Sequence, residues 1–210
     1  MPDIQTIGLF VAAALVLAIM PGPGILYVGA RTLSGGRGEG IASSLGTAVG
    51  GFGQVLAGAA GFSALLLASA QAFTVIKLIG AAYLVWLGIS ALLAANKPLQ
   101  LENVAATGSS RAFRDGIIVE LLNPKTAAFF LAFLPQFIDP SIGSVALQFL
   151  ILGAISVVLN TLADIVIAYL AGGLRATLTE RSGLLKNLQR TSGLVLCSLG
   201  IALVFARRPA

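Results

Sequence analysis

The chain has 210 residues, of which 57% are apolar and 10% charged, whereas globular proteins carry about 25% charged residues; this composition excludes a water-soluble domain and indicates a bilayer protein. The lack of histidine and the single cysteine, Cys197, exclude Ser-His-Asp and Cys-His catalysis, His-ligated metal sites and an internal disulfide. The net charge of +5 comes from scattered residues rather than one continuous basic face, which argues against nucleic-acid binding.

Six apolar stretches are long enough to cross the hydrocarbon core, which takes about 20 helical residues. They are residues 4–30, 41–69, 73–95, 116–137, 145–171 and 187–206. The first has no basic residue before it and continues past Met20, so we interpret it as an uncleaved span rather than a signal peptide. In the last, only residues 193–206 are uninterrupted, and five spans with one interfacial segment are the alternative.

The basic residues indicate the orientation of these spans. Segments 31–40, 96–115 and 172–190 hold nine of the 13 Lys and Arg residues, whereas the short connections near Gln71 and Asp139 hold none. Cytoplasmic loops are enriched in Lys and Arg, so we expect these three segments in the cytoplasm and both termini outside. Arg207 and Arg208 count against this orientation.

Two similar halves are predicted on either side of the polar segment 96–110, which we interpret as a cytoplasmic linker. Residues 1–95 and 111–210 each hold three spans, and Pro21 and Pro124 interrupt the first span of each half. The offset between these prolines, 103 residues, also carries Gly50 onto Gly153. Halves with an odd number of spans insert in opposite senses, so we predict an all-α membrane protein of six transmembrane helices in two inverted three-helix repeats. The alternative is a chance coincidence of two proline kinks.

The first break is a run of two prolines and two glycines: Pro21, Gly22, Pro23 and Gly24. Each proline removes an amide donor and frees the carbonyl four residues earlier, which hydrocarbon tolerates only in the protein interior or at a polar cavity. A helix restarting near Gly24 presents amides that suit a carboxylate, and the freed carbonyls suit an ammonium group. A zwitterionic amino acid offers both charges. The alternative is a simple packing hinge.

The second break lies in the fourth stretch, at Asn123, Pro124 and Lys125. Charges within a membrane usually line an internal path, so Lys125 is a candidate to hold a substrate carboxylate or to pair with an acid. Glu120, one turn earlier, is a second candidate for proton coupling. Snorkelling is the alternative for Lys125, and a position at the membrane interface is the alternative for Glu120.

Asp164 is the deepest acid, near the middle of the fifth stretch, and shares one helix face with Asn160 and Thr161. A charged Asp facing lipid would cost about 3 kcal/mol, so all three residues are expected to line the interior. A carboxylate removed from water can take up and release protons near neutral pH, which makes Asp164 the leading candidate for proton coupling. A static pairing with Lys125 is the alternative.

Thr47, Gln54 and several glycines, including Gly50, share one side of the second stretch. Small residues allow helices to approach closely, so we interpret the glycines as packing positions and Gln54 as a candidate for the path. The glycine-rich segment 35–40 lacks a Gly-Lys-Ser/Thr ending and a preceding strand, which excludes a phosphate-binding loop.

Three motifs resemble a known family. They are the Pro-Gly-Pro break, the Arg-Gly-Glu-Gly of residues 37–40 before a glycine-rich span, and a block of residues 122–137 that reads Leu-Asn-Pro-Lys, then Phe-Phe, then Phe-Leu-Pro-Gln-Phe. Together they resemble the LysE/RhtB family of bacterial amino-acid exporters, over residues 4–206. The resemblance implies a cytoplasmic-membrane protein that exports amino acids or close derivatives, driven by the proton gradient. Its motif positions are Pro21, Gly22, Pro23, Asn123, Pro124 and Lys125; it implies no coupling acid.

The sequence therefore predicts a secondary transporter that exchanges protons for amino acids, with a site between the breaks at Pro21 and Pro124. No cofactor, resident metal or enzymatic activity is expected. The expected partners are the amino acid, protons and the lipid bilayer, and a homo-oligomer is left open. A cation or metal exporter on a related scaffold is the alternative, disfavoured because hard cations prefer several carboxylates and only Asp164 and Glu120 are available. A membrane enzyme and an assembly factor are more distant alternatives.

Overall fold

The computed structural model describes residues 3–68, 70–95, 105–173 and 182–205, and in these ranges the chain is helical with no β-strand. In chain order the α-helices are α1 (Ile4–Ile19), α2 (Pro23–Ala68), α3 (Ala70–Ala94), α4 (Ser109–Leu121), α5 (Pro124–Ala128), α6 (Val145–Gly173) and α7 (Ser182–Phe205). Between α5 and α6 lie a π-helix, Phe129–Phe133, and two short 3-10 helices, Leu134–Phe137 and Pro140–Ile142. The all-helical class predicted from the sequence is confirmed for the described residues.

Several of these helices are long and apolar enough to cross a membrane. By length and composition, Pro23–Phe62, Lys77–Ala94 and Val145–Leu170 qualify, and a fourth is reached if Ser109–Leu121 and Pro124–Phe137, bent by about 40°, count as one span. Two shorter apolar helices, Ile4–Ile19 and Gly193–Phe205, accompany them. Large apolar side chains are exposed on several helices, including Leu56, Trp86 and Leu162, as expected for surfaces in contact with lipid.

Both proline breaks interrupt the helices where the sequence predicts them. Helix α1 ends at Ile19, two residues before Pro21, and α2 begins at Pro23. Helix α4 ends at Leu121, and α5 begins at Pro124 behind Asn123, whose side chain accepts a hydrogen bond from the Lys125 amide. Proline suits the first position of a helix because its missing N–H is not needed there.

Segment 31–40, predicted as a loop, is instead helical on both sides of a sharp turn. Helix α2 includes this segment, and only Gly36 has non-helical angles (φ 79°, ψ −175°). A continuous helix would separate Thr32 from Gly40 by about 12 Å, yet the position of a Gly40 Cβ falls against the Thr32 hydroxyl. The chain therefore turns back at Gly36, because glycine adopts a positive φ without strain.

The other two predicted loops are also partly helical. Residues 109–115 belong to α4 and residues 182–190 to α7, so these helices begin before the apolar stretches do. The first turns of these helices are polar and need not be buried. The length of an apolar stretch therefore underestimates the length of such a helix. Residues 96–104 and 174–181, with most of the linker, lie outside the described residues, as do Arg207 and Arg208.

Glycines allow the central helices to pack closely. Helix α2 packs along both α4 and α6, and α3 packs along α7. A Cβ at Gly46 would collide with the Phe113 carbonyl of α4, and one at Gly50 would lie 2.5 Å from the Ile117 carbonyl. The packing role predicted for the glycines of this helix is confirmed at Gly50 but not at Gly61, where nothing lies within 4 Å of a Cβ, and Gly46 adds a second close approach. As a result, α4 and α6 meet α2 on two sides and enclose the polar residues between them.

Candidate functional site

The two proline breaks meet at a buried cavity. Its lining comes from the end of α1, the start and the middle of α2, the end of α4 with the second break, and the middle of α6. The cavity has about 20 Å³ open to water, which is room for about one water molecule. An amino acid therefore enters only if the surrounding helices move apart. Of the residues predicted to form the site, the lining includes Gly24, Glu120, Asn123, Lys125, Asn160, Thr161 and Asp164.

Lys125 connects the second break to the first. Its Nζ donates hydrogen bonds of 3.1 Å to the carbonyl oxygens of Leu17 and Met20. Pro21 lacks the amide that would otherwise bond the Leu17 carbonyl in a continuous helix; this oxygen instead accepts the Met20 amide at 3.2 Å and the lysine as a second donor. The Lys125 side chain is buried and does not snorkel toward the membrane surface. Gly22 makes room for it, because a Cβ there would lie 3.1 Å from Nζ.

Glu120 is buried in the protein interior at the end of α4. Its carboxylate accepts hydrogen bonds from Asn123 Nδ2 at 2.9 Å and from Thr126 Oγ1 at 2.6 Å. A Cβ at Gly24 would lie 2.7 Å from Oε2, so Gly24 provides the space that this carboxylate occupies. The two glycines of the first break thus each accommodate one charged side chain from the second.

Gln54 of α2 satisfies the carbonyls at the second break. Its Nε2 lies 2.6 Å from the Glu120 carbonyl oxygen, which Pro124 deprives of its helical donor, and 3.1 and 3.2 Å from those of Leu121 and Asn123. The sequence suggested that Gln54 lines the path; the structure shows that it bonds the backbone of the break.

We expect Gln54→Leu to lower the free energy of unfolding by about 1–2 kcal/mol. The variant loses the side-chain donor shared by three buried carbonyls, although those of Glu120 and Asn123 keep backbone donors at 3.0 and 3.1 Å. Thermal melting of the purified protein in detergent measures the change. The matched control is Gln5→Leu at an exposed position of α1. Equal melting temperatures for the two variants would show that the break does not depend on this side chain.

Asp164 is buried in α6 and accepts a hydrogen bond of 2.9 Å from Thr47 Oγ1 of α2. In the part of the chain that the structure describes, neither Asp164 nor Lys125 forms an ion pair within 4.0 Å, unlike Arg31 and Arg111. The predicted alternative of a direct Asp164–Lys125 pair is therefore not realised. Thr47, noted in the sequence only as part of a glycine-rich face, is the direct partner of this acid.

A buried polar network around Arg31 lies two helical turns along α2 from the first break. The Arg31 guanidinium bonds Asp115 Oδ2 at 3.0 Å and Thr107 Oγ1 at 2.6 Å, and lies 3.9 Å from Glu39 Oε2. Glu39 Oε1 accepts the amides of Thr107 and Gly108 at the start of α4. Sequence analysis missed this network because it placed Arg31 and Glu39 in a solvated loop.

An aromatic cluster involves the part of α1 that comes before the first break, whereas Arg31 comes after the break. Phe10, two turns before Ala18 in α1, contacts Phe129 and Phe137 with ring centroids 5.9 and 5.3 Å apart. Phe133 stacks on Phe129 at 5.2 Å. Phe10, Phe129, Phe133 and Phe137 form an aromatic cluster. Along the chain, its α1 member comes before the residues at the first break that line the cavity, and Arg31 comes after them in α2.

Within the described ranges, no three His, Cys, Asp or Glu side chains come close enough together to hold a metal ion. The two buried acids of the cavity, Glu120 and Asp164, are instead bonded to hydroxyl and amide donors.

Sequence comparison identifies relatives over nearly the whole chain. The family model described as LysE type translocator matches residues 15–207. A homoserine/homoserine lactone efflux protein of Salmonella typhimurium is 35% identical over 173 residues, covering 78% of this chain and 82% of the relative. A leucine efflux protein of Enterobacter is 30% identical over 147 residues, 68% of each chain. An uncharacterized membrane protein of Vibrio cholerae is 35% identical over 161 residues, 76% of this chain and 78% of its own. No solved structure matches the chain.

Proposed function

Because the chain belongs to the family of LysE type translocators, which are transporters and not enzymes, we propose that it exports amino acids or close derivatives across a bacterial cytoplasmic membrane. The observation that supports this most directly is the meeting of two broken helices around a buried, charged cavity. Broken helices near the bilayer midplane form the substrate sites of many secondary transporters. The names of two relatives, efflux proteins for homoserine or its lactone and for leucine, favour small amino acids as cargo.

The proposed topology has six spans in two inverted halves. Helix α1 with the start of α2 forms a broken first span, and the rest of α2 and α3 complete the first half. Helix α4 with Pro124–Phe137 forms the broken fourth span, followed by α6 and α7. This arrangement is supported by the matching breaks, and the positive-inside rule places segments 31–40, 96–115 and 172–190 in the cytoplasm with both termini outside.

Proton antiport is the proposed mode of energy coupling. Asp164 and Glu120 are buried acids in one cavity, and Asp164 has a single hydrogen-bond donor, Thr47, among the described side chains. In the proposed cycle Asp164 takes a proton from outside and releases it to the cytoplasm as cargo moves outward, and Glu120 is the secondary candidate. Alternating access is proposed because the cavity has room for about one water molecule, too little for an amino acid. Opening on the cytoplasmic side would separate the Arg31 network, and opening on the other would part the aromatic cluster.

The experiment is efflux of radiolabelled leucine and homoserine from proteoliposomes that carry an imposed pH gradient. We expect a rate well above that of empty liposomes when the external side is acidic, and a return to the basal rate when a protonophore collapses the gradient. A rate that does not change on collapse contradicts proton antiport. No efflux for a panel of amino acids and their lactones contradicts the proposed cargo.

A further inference from the structure

The Lys125 side chain occupies a cation site built from backbone. Its ammonium bonds the carbonyl oxygens of Leu17 and Met20 at 3.1 Å each, and both carbonyls lie at the C-terminal end of α1, where the helix dipole is negative. The lysine stem lies against Gly22, where a Cβ would come within 3.2 Å of Cδ, Cε and Nζ. The end of α1 and the first break thus hold a primary ammonium group with room for its chain.

Lys125 and a bound substrate compete for this space. The cavity beside the lysine holds about one water, so an α-ammonium group cannot reach the carbonyls of Leu17 and Met20 until the lysine leaves. Glu120 and Asp164 line the same cavity and offer carboxylates toward which a displaced lysine can turn. The exchange replaces one ammonium by another, so the charge and hydrogen bonds at the end of α1 are preserved.

We propose that the carbonyls of Leu17 and Met20 are the ammonium subsite of the carrier, and that Lys125 fills this subsite as a tethered ligand whenever cargo is absent. This inference rests on the proposed export function and adds the ligand class: a primary ammonium, whose N–H donors the two carbonyls require. Quaternary ammonium ions lack these donors and are excluded. The competing assignment, in which Lys125 anchors the cargo carboxylate, makes opposite predictions.

The test is chemical rescue of Lys125→Ala in the purified full-length protein. This substitution removes three carbons and the ammonium, a fragment that matches propylammonium. We expect propylammonium to raise the melting temperature of Lys125→Ala by about 4 °C at ten times its dissociation constant. The wild type should respond far less, because its own lysine ammonium competes for the carbonyls of Leu17 and Met20. Propan-1-ol and propyltrimethylammonium should have no effect on any variant. Equal shifts in wild type and Lys125→Ala, or an equal shift with the alcohol, overturn the proposal.

A second measurement decides the question if Lys125→Ala does not fold. Lys125→Met shortens the side chain by one heavy atom and removes the competing ammonium, so L-leucine methyl ester should bind it several-fold more tightly than it binds the wild type. If Lys125 instead anchors a carboxylate, Lys125→Met weakens leucine binding and leaves the ester unchanged, which overturns the proposal. Neither measurement depends on transport. If the wild type exports cargo but propylammonium does not stabilise Lys125→Ala, the ammonium subsite is refuted and the proposed export function is not.

Discussion

Asp164→Asn is expected to reduce export driven by a pH gradient to the rate of empty liposomes. Asn has nearly the same shape, and its carbonyl can still accept the Thr47 hydroxyl that bonds Asp164 at 2.9 Å, so the fold should be retained. The substitution removes the group that we propose to carry the proton. Cargo-for-cargo exchange at equal pH should persist, because the proposed ammonium subsite lies at Leu17 and Met20.

The control for this variant is Asp139→Asn, outside the spans. Hydrogen bonds from the Ser141 hydroxyl and amide hold the pKa of Asp139 below its usual range, so this exposed acid stays ionised and takes no part in coupling. Gradient-driven efflux should match the wild type. A normal gradient-driven rate in Asp164→Asn would assign coupling to another group, with Glu120→Gln as the next variant to measure.

Gly46→Ala is expected to cause the largest loss of stability, with a free energy of unfolding lower by about 3 kcal/mol or more. The added methyl group would collide with the Phe113 carbonyl, a backbone atom that can move only if α2 and α4 separate. Gly50→Ala, 2.5 Å from the Ile117 carbonyl, should lose nearly as much. Melting temperature and yield of the detergent-solubilised protein measure both effects.

Gly61→Ala is the matched control on the same helix. Nothing lies within 4 Å of a Cβ at this position, so the substitution should raise the helix stability by about 0.5–1 kcal/mol, the difference in propensity between the two residues. If Gly46→Ala had the same melting temperature as Gly61→Ala, α2 and α4 would not pack as closely as the structure shows.

The sequence alone was sufficient for the properties that arise from local chemistry. Proline lacks a backbone N–H in any context, so the helix breaks at Pro21 and Pro124 could be predicted from these residues alone. The membrane environment followed from composition, and the interior position of Asp164 followed from the cost of exposing a charge to lipid. The resemblance to the LysE/RhtB family, carried by short motifs, was confirmed by the match to the family model.

Only the tertiary structure decided which groups satisfy the broken backbone. Lys125 reaches the carbonyl of Leu17 across 108 residues of sequence, and Gln54 reaches that of Glu120 across 66. The partners of Arg31 and Glu39, which are Asp115 and the amides of Thr107 and Gly108, likewise come from the start of α4 and its approach. Local sterics remove a helical donor and mark the position of the loss. The side chain that supplies a donor there is set by how distant helices pack, and that packing leaves no periodic signal in the chain.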